Sequence, residues 1–174
     1  MQLTFGQRVA GLESPAFNET EVRAAAGLTM VIGAIAFSYA YFDKNYIPLQ
    51  AVTTFFFIEF AIRVTIGLQA SPVGLVSRWL TSSRPQEWVS AKPKRFAWTL
   101  GLGMSFAMMI ITNSGIRGYL PRTICLICLT LMWLEAVLGL CLGCELYGLM
   151  VRRGWRRTDD AYEICASGAC DLDR

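Results

Sequence analysis

Four long apolar runs, parted by short polar breaks, constrain this chain more than any other feature. They cover residues 20–42, 47–68, 94–114 and 121–150. Each reaches the ~20 residues that an α-helix needs to cross a hydrocarbon core of roughly 30 Å. A soluble bundle of greasy helices is the competing reading. Runs such as AVTTFFFIEFAIRVTIGL argue against it because they leave no wet face. Charge points the same way. Only 17% of the 174 residues are charged, where soluble domains carry about 25%. The expected fold is therefore all-α: a membrane-embedded, four-helix, up-and-down bundle in contact with a lipid bilayer. A lead at 1–17 and a tail at 151–174 flank the membrane domain at 18–150.

The basic residues sit at the ends of the runs. Arg8 and Arg23 precede or open the first. Arg78, Arg84, Lys92, Lys94 and Arg95 fall in the loop between the second and third, and Arg152, Arg153, Arg156 and Arg157 follow the fourth. The opposite side has Lys44, Arg117 and Arg122. The positive-inside bias places both termini and the middle loop in the cytoplasm. A net charge of +3 spread over helix ends gives no reason to expect a nucleic-acid partner. The first 22 residues hold several charges and no apolar core of the leader type, so the first run is expected to stay as a helix.

Along the chain, Phe5, Val9 and Leu12 recur at helical spacing, which suits an interfacial helix or an unstructured lead. Asn18 with Glu21 reads as a capping box. Pro48 fits a first helical turn. Glu59 and Arg63 are four residues apart and share a helix face. Charges inside a membrane segment pair or face the protein interior, so the two read as a structural ion pair, with an ion pathway as the other option. Ser71-Pro72 stops the second helix. PVGLVSRWL then reads as a short amphipathic helix on the cytoplasmic surface between helices two and three, with Trp79 and Trp88 at headgroup level. Ser90-Ala91-Lys92-Pro93 reads as a helix start, with Lys94 and Arg95 anchoring that end to anionic headgroups.

The fourth run carries Glu135 near its middle and two C-x-x-C pairs, Cys125/Cys128 and Cys141/Cys144. In a straight helix, Cys125 is sixteen residues from Cys141, or roughly 24 Å. That is too far for direct exchange between the pairs, which requires one sulphur to attack another. Cys125 lies near a helix start, where the dipole favours a thiolate; Cys141 does not. Glu135 also faces away from Cys141 and Cys144 unless the helix bends. Gly139 and Gly143 around Cys141 offer a place for close contact or a kink. The tail, RRTDDAYEICASGACDLDR, adds Cys165 and Cys170. Cys141, Cys144, Cys165 and Cys170 then gather on one side. They could pass electrons or sulphur with Glu135 in support, or hold zinc or an iron–sulphur cluster as four thiolates. The chain has no histidine, which removes imidazole-held haem and copper. No Gly-rich nucleotide loop, Ser/His/Asp arrangement or H-E-x-x-H motif is present.

Several of these pieces occur together: Asn18-Glu19 with Arg23; Glu59 with Arg63; Ser71-Pro72; Lys94-Arg95-Phe96-Ala97; and Glu135, Gly139, Cys141, Gly143, Cys144 and Tyr147. Over roughly 18–150 this combination resembles the bacterial integral membrane family catalogued as domain of unknown function 4395. The resemblance implies a multi-pass protein of the bacterial inner membrane. Some members lie beside or are joined to thioredoxin-like or rhodanese-like domains, so it also implies thiol or sulphane-sulphur traffic and a partner of that kind. Glu59, Arg63, Glu135, Cys141 and Cys144 match the family's positions. Cys125/Cys128 and Cys165/Cys170 lie outside its pattern. The leading expectation is thiol redox or sulphane-sulphur exchange through Cys141 and Cys144, without a cofactor. The alternatives are an accessory subunit of a homo-oligomer or larger membrane complex with inert cysteines, a small transporter built on Glu59, Arg63 and Glu135, and the four-cysteine metal site.

Overall fold

A computed structural model describes residues 5–7 and 15–155 of the chain. Among them the chain is all-α apart from one short strand pair. Strand β1 (Ala16–Asn18) leads into helix α1 (Glu19–Phe42), where the Asn18 side-chain oxygen accepts the Thr20 N–H at 3.2 Å. A tight turn with Lys44 at φ 55° leads to α2 (Ile47–Thr65), which has Pro48 in its first turn. A 3-10 turn (Leu68–Ala70) leads to α3 (Pro72–Leu80), capped by the Ser71 hydroxyl. Strand β2 (Trp88–Ser90) then opens α4 (Ala91–Asn113). Helix α5 (Tyr119–Trp133) widens into a π turn (Leu134–Leu138) and is followed by α6 (Leu142–Arg152).

Helices α1, α2, α4 and α5 with its π turn are long and apolar enough to cross a membrane. They run alternately up and down. The starts of α1 and α4 therefore meet the ends of α2 and α5, and polar contacts close each end. At one end Lys94 of α4 reaches Glu19 of α1 and Glu135 of the π turn. At the other, the Tyr46 hydroxyl accepts from Gly118 N–H at 2.9 Å and Arg122 Nε at 3.0 Å, and Gln50 Nε2 donates to the Thr112 carbonyl at 2.8 Å. Between them lie two apolar clusters, one around Phe17, Val22, Phe60 and Trp98, the other around Ala36, Leu49, Met108 and Cys125. Val31, Ile35, Ile58, Phe106, Ile110 and Leu126 point outward and are exposed. Large apolar side chains on the outer faces of four long helices suit a lipid surround.

Helix α3 is amphipathic. It buries Val73, Gly74 and Ser77, and exposes Leu75, Val76, Trp79 and Leu80. Two features depart from the sequence reading. The fourth run is not one helix over 121–150 but two, joined through the π turn and Gly139. The lead is not helical where it is described: Gln7 and Ala16 exchange backbone hydrogen bonds at 2.9 Å, and β1 pairs antiparallel with β2. Phe5 packs against Phe17 and Trp98, with the Arg95 guanidinium over its ring at 4.7 Å. That ring is half-buried against the bundle end rather than set against a leaflet, and Gly6 bends the chain beside it at φ 82°. Val9 and Leu12 lie outside the described residues.

Candidate functional site

The site is built on the break in the fourth run. After the π turn, Gly139 adopts a left-handed conformation (φ 69°) that L side chains rarely take. Leu140 follows, and Cys141 is extended (φ −92°, ψ 95°) before α6 begins. A helix break exposes carbonyls that need donors. Arg23 of α1 supplies them, with Nε to the Ala136 carbonyl at 3.3 Å and Nη2 to the Val137 carbonyl at 2.8 Å. Gly143 then sets α6 hard against α4, since a Cβ there would stand 2.6 Å from the Ala97 Cβ.

The break changes what the cysteines are. Cys141 becomes the N-cap of α6 and Cys144 lies in its first turn. Their sulphurs are 2.6 Å apart, and the Cys144 thiol donates to Cys141 Sγ. A disulphide bond of about 2.05 Å needs only a sub-ångström approach from there. Cys141 is 4% exposed and Cys144 is 0%. The Cys144 thiol is held above the usual thiol range, first by its hydrogen bond to Cys141 and then by burial. The charge of Lys94 pulls it back down and that of Glu135 pushes it up.

Lys94 is the centre of the polar cluster. It is 1% exposed. Its ammonium lies 2.9 Å from Glu19 Oε2 and 3.2 Å from Glu135 Oε1, and close enough to both Cys141 and Cys144 to interact with them electrostatically. This corrects the headgroup role expected for Lys94. Two carboxylates face it inside the bundle end, and a buried cation so paired has no reason to reach for lipid phosphate. Behind this cluster, Arg63 pairs with Glu59 at 2.8 Å and donates to Thr29 Oγ1 at 3.3 Å. Glu59 Oε2 also accepts the Val73 N–H at the start of α3. Glu19, Glu59 and Glu135 lie with Lys94, Arg63 and Arg23, three acids and three bases, so the formal charges of this cluster sum to zero.

A cavity of about 380 Å³ runs along the bundle from this end toward the other, and its wall includes the exposed Leu100, Leu142 and Leu146, so it opens sideways. Its walls are mostly apolar. Glu135 and Cys141 line one part of it and Cys125 and Cys128 another, with Thr29, Thr53 and Ser105 as further polar groups.

The structure therefore brings Cys141, Cys144 and Glu135 together through Lys94, and sets Glu59 and Arg63 in the next layer. It keeps Cys125 and Cys128 apart from the site, joined to it by the cavity alone. Cys165 and Cys170 lie outside the described residues, and with them the four-cysteine grouping. Sequence reasoning did not assign site roles to Lys94, Glu19 and Arg23. The available signal was their position: a charge at the very start of an apolar helix can turn inward as well as outward, and only a partner decides which.

A family model described as a domain of unknown function matches residues 17–152, which hold every residue of this cluster. No curated protein and no solved structure matches the chain.

Proposed function

Because this chain belongs to the family described as domain of unknown function 4395, whose description supplies no activity, we propose a function from the site itself: a dithiol centre at the cytoplasmic end of a membrane bundle that exchanges electrons or sulphane sulphur through Cys141 and Cys144. The observation that carries this reading is the pair's position at the start of α6, sulphurs in contact and a buried ammonium beside them. Two sulphurs in contact can join and part as one pair, which is the chemistry that thiol exchange requires. The partner class is a thiol or sulphane-sulphur carrier, such as a thioredoxin-like or rhodanese-like protein. Cys165 and Cys170 are candidates for the same traffic. The site end of the bundle carries Arg78, Arg84, Lys92 and Arg95, against Lys44, Arg117 and Arg122 at the far end. That bias supports an orientation with the site end facing the cytoplasm of a bacterial inner membrane.

Differential alkylation and mass spectrometry of the solubilised full-length protein test this. In a dithiothreitol redox buffer, Cys141 and Cys144 should convert reversibly between two thiols and one disulphide; a sulphane donor should add sulphur to one of them. Two thiols that stay reduced at every poise, and label only after unfolding, would sink the reading. A second reading is an accessory subunit with inert cysteines. The complete burial of Cys144 favours it, and a Cys141→Ser/Cys144→Ser protein that still assembles and works would establish it.

A further inference from the structure

We infer that the cavity along the bundle binds a lipid-soluble two-electron acceptor of the quinone class, which oxidises the Cys141/Cys144 dithiol. This rests on the dithiol reading above and names its oxidant. Four observations converge. The cavity, at about 380 Å³, lies within the range of small-molecule sites, roughly 300–1,000 Å³. Its wall is chiefly apolar, with a few polar groups at intervals, which suits a ring with two carbonyls and an alkyl tail. It meets Cys141, which is otherwise almost closed to water, while Cys144 has no exposed surface at all. The cavity therefore gives a small reactant a route to Cys141 that does not depend on the outer surface. Finally, Glu135 both lines the cavity and touches Lys94, so a group able to carry a proton stands in the wall where a ring oxygen would need one on reduction.

The step balances without any further reactant. Two S–H bonds break and the Cys141–Cys144 S–S bond forms. The electron pair passes to the quinone ring and the two protons to its two oxygens, so dithiol plus quinone gives disulphide plus hydroquinone. Glu135 is placed to relay one of those protons. The disulphide returns to dithiol by oxidising an incoming thiol pair.

The test uses anaerobic, fully reduced full-length protein and decylubiquinone, whose fully substituted ring disfavours thiol addition. Cys141–Cys144 disulphide is read by mass spectrometry and hydroquinone by ultraviolet absorbance. Disulphide and hydroquinone should appear in equal amounts. Filling the cavity by Ser105→Phe or Cys128→Phe should slow this oxidation by about a hundredfold, while the same proteins still form the disulphide in dithiothreitol redox buffer. A second readout covers a variant that folds poorly. In Cys141→Ser, decylubiquinone should quench tryptophan fluorescence saturably, and Ser105→Phe should weaken that binding by about tenfold or more. A disulphide that forms in redox buffer but never with quinone overturns the quinone site and leaves the dithiol reading standing. So does a cavity occupied by a co-purifying acyl lipid that quinone fails to displace. Failure to form the disulphide with either oxidant overturns both.

Discussion

Lys94 shows how much one side chain can decide. Removing it by Lys94→Met would leave Glu19 and Glu135 facing each other in a buried end, at a cost of about 3–5 kcal/mol. Combining it with Glu19→Gln and Glu135→Gln should restore much of the loss, because no charge is then stranded. Thermal melting in detergent measures both; a triple variant no better than the single would refute the ion cluster as the cause. Cys144 makes a prediction in pH. Its folded thiol is raised, so its contribution to stability is full below the unfolded thiol value of about 8.5 and falls away as pH climbs toward the folded value. Wild-type protein should therefore lose more melting temperature than Cys144→Ser between neutral and alkaline pH. Equal losses would mean the thiol titrates normally. Cys144 was a candidate from the sequence, but the role of Lys94 was not legible there. A lysine beside an arginine at a helix start looks like a lipid anchor, and only the arrival of residues 75 and 41 positions away turns it inward.

At the level of elements, the spans were legible and the break was not. Length and apolarity fix α1, α2 and α4 whatever they pack against. The stretch LEAVLGLCLGCEL is as apolar as the rest and holds no proline. Its two glycines permit a bend without requiring one. The requirement comes from Arg23 on another helix, which satisfies the carbonyls the bend exposes. The strand pair was missed for a related reason: three residues on each side form no pattern of their own. The glycines can be tested apart. Gly139→Ala must place a Cβ in the left-handed region, costing about 1–2 kcal/mol. Gly143→Leu collides with Ala97 and should push α6 off α4, carrying Cys144 away from Lys94. Disulphide formation should survive the first change and fall sharply in the second. Equal behaviour would argue that α6 is not seated by that contact.

For the molecule as a whole, the alternation of four helices puts every charged residue of the cluster at one end, and α3 exposes Leu75, Val76, Trp79 and Leu80. Trp79 should lie at headgroup depth, so brominated lipids should quench its emission most strongly when bromine is placed high on the acyl chain. Quenching only by deep bromines would place α3 elsewhere. Cysteine introduced at Lys44 should label with an impermeant reagent from outside intact cells, and cysteine at Arg84 only after the membrane is opened; the reverse pattern would invert the orientation. The cluster also has a consequence for how the protein is made. Glu19 leaves the ribosome first, Lys94 much later, and Glu135 with the cysteines last. Lys94 can pair with Glu19 once α4 is made, and Glu135 completes the cluster when it arrives. The bend whose carbonyls Arg23 satisfies comes with that last long helix. Because Cys141 and Cys144 follow Glu135 in the chain, their setting can be complete only after all four long helices have been made.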